Sequence, residues 1–152
     1  MYSKLISALP VITVIGSTFM AWKLLCLTLN CSNPAMVVLS ESMYPAFSRG
    51  DVIFLSNWKE ELEVGDIPVV WFEGHQLPMV HRAIAVLYDD SGRQSILTKG
   101  DNNRLTDEML YPFGQDYVLR EQVVGLVVGY MPYVGWITLA ARTFSGYKQL
   151  LA

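Results

Sequence analysis

From Leu5 to Leu29 the chain is apolar apart from serines, threonines, Gly16, Pro10 and Lys23, and that run limits what the rest can fold into. A helix rising about 1.5 Å per residue needs roughly 20 such residues to cross the hydrocarbon core of a bilayer. This stretch supplies them. Composition agrees, because 52% hydrophobic against 16% charged residues over 152 positions is more apolar than an ordinary soluble domain. A cleaved signal peptide is the competing reading, but its apolar region usually runs about 7 to 15 residues to a small-x-small site. Thr28-Leu29-Asn30-Cys31-Ser32 offers no convincing one, so residues 1–32 read as a retained signal anchor. Lys4 precedes the span and Lys23 lies near its far end, a small bias toward a cytosolic amino terminus. Cys26 falls within the span and Cys31 just outside it, so no disulfide is expected between them. Asn30-Cys31-Ser32 is formally a glycosylation sequon, too near the membrane for use.

The chemistry of the chain concentrates next, between Val37 and Asp51. Val37 to Leu39 favour a strand, since β-branched and aliphatic side chains fit a pleated, half-buried surface. Pro45 and Arg49-Gly50-Asp51 break it. Ser40 and Ser42 then sit at a polar corner, where serines commonly satisfy turn hydrogen bonds and where a hydroxyl can also be fixed by backbone yet stay reachable. Further strands are predicted over Val52–Leu55, Ile67–Phe72, Val80–Tyr88, Gln94–Thr98 and Val123–Met131, the last interrupted by Gly125 and Gly129. Short strands closed by turns, with no alternation of strands and long helices, disfavour a parallel α/β sheet. The fold class is mainly β: one N-terminal transmembrane helix, a β-rich domain over 33–133, and a short amphipathic C-terminal helix over 134–152. In that last helix Trp136, Leu139, Ala140, Thr143, Phe144, Tyr147, Leu150 and Leu151 share a face. It suits the membrane surface, a partner subunit or the chain's own domain.

Several classes are excluded. There is no Gly-rich phosphate loop and no internal repeat. A net charge of −3 with 11 unclustered basic residues lacks the footprint of a nucleic-acid binder. No cysteine or histidine cluster suggests a metal, and no cofactor is expected.

Three motifs in order resemble a known family. Ser40-Glu41-Ser42-Met43-Tyr44-Pro45 with Arg49-Gly50-Asp51 is similar to the nucleophile box of type I signal peptidases. Pro78-Met79-Val80-His81-Arg82 and Lys99-Gly100-Asp101-Asn102-Asn103 follow at the family's spacing, and the likeness covers roughly residues 10 to 140. The resemblance implies a signal-peptidase-like β domain with Ser42 as nucleophile and His81 as general base, histidine being the choice of the endoplasmic reticulum and archaeal branches. Imidazole suits that task, because its ordinary pKa of about 6.5 needs no large shift near neutral pH. At a period of two, His81 is predicted to share a face with Ala83, Ala85 and Leu87. A lone histidine on an apolar strand is also commonly a hydrogen-bonded core residue. His75 lies in a turn-like stretch, and Lys99 matches a family lysine that is not the base.

A carboxylate should orient the imidazole. Asp107 occupies the family's triad position, with Asp101 as a second aspartate nearby, and the choice between them stays open. The chain departs from the family in having Thr106-Asp107-Glu108 where Asp-Asp-Arg is common, and in carrying Glu41 and Tyr44 inside the first box. Ser40 matches the residue whose hydroxyl joins the Ser42 N–H in an oxyanion hole. Implied partners are the signal peptides of preproteins, noncatalytic subunits of a signal peptidase complex and the lipid bilayer. Apolar residues such as Val38, Met43 and neighbours of Ile84 would wall pockets for small side chains. The implied location is the endoplasmic reticulum membrane, single-pass type II with the catalytic domain lumenal, or alternatively an archaeal or bacterial plasma membrane. Two other readings remain: a catalytically silent membrane subunit, and a self-cleaving Ser-Lys repressor, which would need a base lysine and a DNA-binding segment.

Overall fold

A computed structural model describes residues 2–141, with side chains from residue 9. Helix α1 spans Tyr2–Thr28, and its portion Leu9–Thr28 is long and apolar enough to cross a membrane. Its hydroxyls turn back onto the helix: Thr13 donates to the Leu9 carbonyl, Ser17 and Thr18 to that of Val14, and Thr28 to that of Leu25. No polar group of these side chains is then left unsatisfied, which is what a lipid setting would require. Asn30, at φ 49°, takes the left-handed conformation that ends the helix. The freed carbonyls are met from the β domain, with Trp58 Nε1 donating to Thr28 at 2.8 Å and the Asn57 N–H to Leu29 at 2.9 Å. Asn30 in turn donates its side-chain amide to the Asn57 carbonyl at 3.0 Å.

The β domain consists of two antiparallel sheets. Strands β1 (Ala35–Val37), β2 (Val52–Ser56), β3 (Pro68–Val70), β4 (Met79–Val80) and β8 (Val123–Met131) form a five-stranded half-barrel in the order β1-β2-β8-β3-β4. Strands β5 (Arg82–Tyr88), β6 (Gln94–Lys99) and β7 (Val118–Leu119) form the second sheet in chain order. Burial in β2 and β6 alternates strictly, as a strand with one face on a core requires. Ile53, Leu55, Val69, Met43, Phe47 and Cys31 fill one core, and Val70, Phe72, Ala83, Ile96, Val118 and Tyr111 are among those that fill the other.

Three strand expectations are corrected. The strand before the serines is Ala35–Val37 and not 37–39, because Val38 exchanges its bonds with Asp51 and Gly50, where the chain turns away from the sheet. The predicted strand 80–88 is two strands in different sheets, parted at His81. A bulge at Ile84 then shifts the pairing, so that Ala83 faces Thr98 but Ala85 faces Leu97. Ala83 and Val86 therefore share the inner face, and Ala85 and Leu87 do not lie on it with them. Finally, β8 runs through both Gly125 and Gly129, with its pairing shifts beside them at Val124 and Val128.

The C-terminal helix begins at residue 136. Its approach depends on two glycines: Gly135 donates to the Gly50 carbonyl at 2.8 Å, and a Cβ on Gly50, at φ +92°, would strike the Trp136 ring. The apolar face expected at Thr143, Phe144, Tyr147, Leu150 and Leu151 lies outside the described residues.

Candidate active site

The turn over residues 42–46 carries Ser42, five residues past β1, with its side chain half-buried. Backbone contacts fix it from across the domain. The Asn102 N–H donates to the Ser42 carbonyl at 2.8 Å, and the Asn102 side chain donates to the Glu41 carbonyl at 3.1 Å. Gly100 allows this approach, since a Cβ there would lie 2.7 Å from the Ser42 carbonyl oxygen. The Lys99–Asn103 motif thus clamps the serine turn. The Glu41 carboxylate accepts the Arg49 N–H at 3.1 Å, and the buried Asp51 carboxylate accepts the N–H groups of Ser48 and Tyr133. Both acids of the first box are therefore occupied in holding backbone.

His81 sits at the break between the two sheets, 5% exposed. Its Nε2 is 3.0 Å from Ser42 Oγ and its Nδ1 is 2.6 Å from Asp107 Oδ2. Asp107 opens the 3-10 turn Asp107–Leu110 and is 1% exposed. A carboxylate offers only acceptors, so Nδ1 carries the proton of the neutral ring and Nε2 accepts the Ser42 hydroxyl proton. Asp101 lies elsewhere. Its two oxygens accept from Arg82 Nε at 2.8 Å and Nη2 at 2.6 Å, and the Arg82 guanidinium holds its carboxyl below the ordinary range. Arg82 also donates to the Gly65 carbonyl, and its own ionisation is raised by the Asp101 bond.

Ser40 is exposed, with its Oγ 3.2 Å from that of Ser42. The Ser42 N–H makes no hydrogen bond among the described residues. His75 is exposed in the 71–78 loop, and Lys99 ends β6 opposite Arg82. Two side chains at the site were not singled out by the sequence reading. Thr98 donates to Asp107 Oδ2 at 2.7 Å, and the Tyr111 hydroxyl lies 3.0 Å from Thr98 Oγ1. The alternation of β6 could have placed Thr98 inward, but only the fold brings Tyr111 to it.

Ser42 and His81 open onto an apolar groove of about 840 Å3. Its lining takes in the stretches Met36–Leu39 and Leu77–Val80, with Met43, Phe47, Trp71 and Leu139. Val38 and Met43 line it as expected. The neighbours of Ile84 do not, because the chain has crossed into the second sheet there.

No family model matches the chain. Curated relatives do. It is 42% identical over 139 residues to the signal peptidase complex catalytic subunit SEC11C of Homo sapiens, covering 91% of this chain and 72% of that protein. Similarity to the catalytic subunit sec11 of Sclerotinia sclerotiorum is 44% over 140 residues, 91% of this chain and 81% of the relative. Similarity to SEC11 of Lodderomyces elongisporus is 46% over 127 residues, 83% and 76%. The chain belongs to the signal peptidase complex catalytic subunit family. The aligned span takes in most of both chains, so the family relation extends to the β domain as a whole. The fold expected from the motifs, mainly β behind an apolar helix, is the fold observed.

Proposed function

We propose that this chain is a single-span membrane serine endopeptidase that removes signal peptides from preproteins. The observation that carries the reading is the hydrogen-bonded line Ser42–His81–Asp107 at the mouth of an apolar groove. In this reading His81 takes the Ser42 proton as Oγ attacks the scissile carbonyl, and the imidazolium is stabilised by Asp107 before it protonates the leaving amine. The unengaged Ser42 N–H and the Ser40 hydroxyl supply the oxyanion donors, a role typically worth about 10²- to 10³-fold per donor. Asp101 contributes indirectly, by pairing with Arg82 beside the clamp that holds the serine turn.

The groove suits an extended peptide. The lining takes in residues of both edge strands of the half-barrel, β1 and β4, whose open sides can pair with a strand laid between them. Alternate side chains would then enter shallow apolar pockets, consistent with small residues one and three positions before the cut. In this reading residues 1–32 are the anchor, 33–133 the catalytic domain and 134–152 a C-terminal segment. The location is the endoplasmic reticulum membrane, type II, with the domain lumenal and noncatalytic complex subunits as partners. Support comes from the apolar helix at Leu9–Thr28, the weak charge bias around it and the complex named for the relatives.

The test is cleavage of a reporter preprotein in liposomes by the chain coexpressed with its membrane partners, comparing wild type with Ser42→Ala. Loss of processing with assembly unchanged is the expected result. Equal cleavage by both would remove Ser42 as nucleophile and favour a catalytically silent interaction subunit.

A further inference from the structure

Asp107 receives its hydrogen bonds on one oxygen. His81 Nδ1 and Thr98 Oγ1 both reach Oδ2, at 2.6 and 2.7 Å, while Oδ1, fully buried, has no partner among the described residues. A carboxylate's last torsion is soft, so the angle at which the group meets the imidazole needs a second anchor. One donor does not titrate and is held on a strand: the Thr98 hydroxyl, on β6 directly across from Ala83, two residues beyond His81.

The directions of the remaining bonds follow. The Thr98 proton is committed to Asp107, so its oxygen accepts from the Tyr111 hydroxyl at 3.0 Å. Tyr111 in turn accepts the Thr98 N–H at 2.9 Å. This closes a small ring between the two residues that admits one orientation of the Thr98 hydroxyl. Tyr111 is packed into the second core against Phe72, and burial pushes its phenol above the ordinary tyrosine range, so it remains a donor at neutral pH.

We propose that Thr98 and Tyr111 are positioning residues for the peptidase reaction, fixing the angle at which the Asp107 carboxylate meets His81 and hence the proton-accepting face that His81 turns to Ser42. Neither touches substrate. The inference rests on the Ser42–His81–Asp107 reading and adds a buried chain behind it, Tyr111 to Thr98 to Asp107. Because Thr98, Asp107 and Tyr111 do not line the groove, the effect should fall on the chemical step and leave peptide binding alone.

The experiment measures kcat and KM separately on a reporter preprotein, with the chain in its membrane complex. Thr98→Val keeps the shape and removes the hydroxyl; it should lower kcat about 10- to 100-fold, as misplacement on the ångström scale does, with KM within about two-fold. Thr98→Ser restores the donor and should recover kcat to within about three-fold. In an Asp107→Asn background, Thr98→Val should add almost nothing, since residues acting through one group are non-additive. Tyr111→Phe should show the same pattern at about three- to ten-fold, and it decides by the same cycle if Thr98→Val fails to assemble. Wild-type kcat in these variants, a loss confined to KM, or losses that multiply with Asp107→Asn overturn the proposal. Cleavage surviving Ser42→Ala would instead overturn the reading beneath it, so the two failures are distinguishable.

Discussion

Gly100→Ala is the most exacting probe of how the serine turn is held. The glycine has an ordinary φ, so the substitution brings no backbone strain of its own. Its Cβ, however, would lie 2.7 Å from the Ser42 carbonyl oxygen and 2.7 Å from Asn103 Nδ2, where ordinary contact begins at 3.4 Å. The Asn103 side chain can move aside. The carbonyl cannot without taking Ser42 with it, and the Asn102 N–H that grips this same oxygen at 2.8 Å resists the separation. A displacement of about 0.7 Å at the carbonyl would stretch the 3.0 Å contact between Ser42 Oγ and His81 Nε2 beyond useful hydrogen bonding. Misplacement of that order costs about 10²-fold when it falls on reacting groups, and overpacking adds about 1–3 kcal/mol of destabilisation. The assay is kcat and KM for preprotein processing beside the melting temperature, with Gly129→Ala as control, since nothing lies within 4 Å of a Cβ there. The expected result is a drop in kcat of about 10- to 100-fold with KM little changed, while the control stays near wild type. Wild-type kcat in Gly100→Ala would refute the clamp.

Two further outcomes concern stability. Asp101→Asn should reduce stability at neutral pH by about 1–2 kcal/mol, discounted for partial exposure of the pair and read as a lower melting temperature. Because Arg82 depresses the Asp101 carboxyl in the folded state, that stabilisation is present above the ordinary carboxylate value. It is lost as pH falls through the lowered native value, so the melting curves of wild type and variant should converge on acidification. Trp58→Phe removes the indole donor from the Thr28 carbonyl and should lower thermal stability in detergent by about 1 kcal/mol. A variant as stable as wild type would mean that the helix end is held without it.

Much of this was legible in the chain itself, and the reasons differ by residue. The apolar helix expected over residues 5–29 was readable from composition, and Ser42 and His81 because the motifs around them resemble a family. The partition of the two aspartates was not. Asp101 and Asp107 each adjoin turn-forming residues, and only the fold shows that Arg82 takes the first and His81 the second. The single strand expected over 80–88 was broken by a sheet crossing, which leaves no mark in a continuous apolar run. Its inward face was misjudged because one inserted residue, Ile84, reverses the alternation. Tyr111 was invisible, since its partner Thr98 lies 13 positions away with no pattern joining them.

In the proposed membrane setting, the staple at the end of α1 makes bilayer thickness an input to catalysis. Residues 57 and 58 hold 28, 29 and 30 through three hydrogen bonds, and residue 57 directly follows the strand that pairs with β1. Helix and half-barrel therefore turn together. A membrane thinner than the span tilts the helix, and the hydrogen bonds at its end carry the groove with it. In the proposed orientation the lipid environment sets the height and pitch at which a nascent chain meets Ser42, and the choice of cleavage position becomes partly a property of the bilayer.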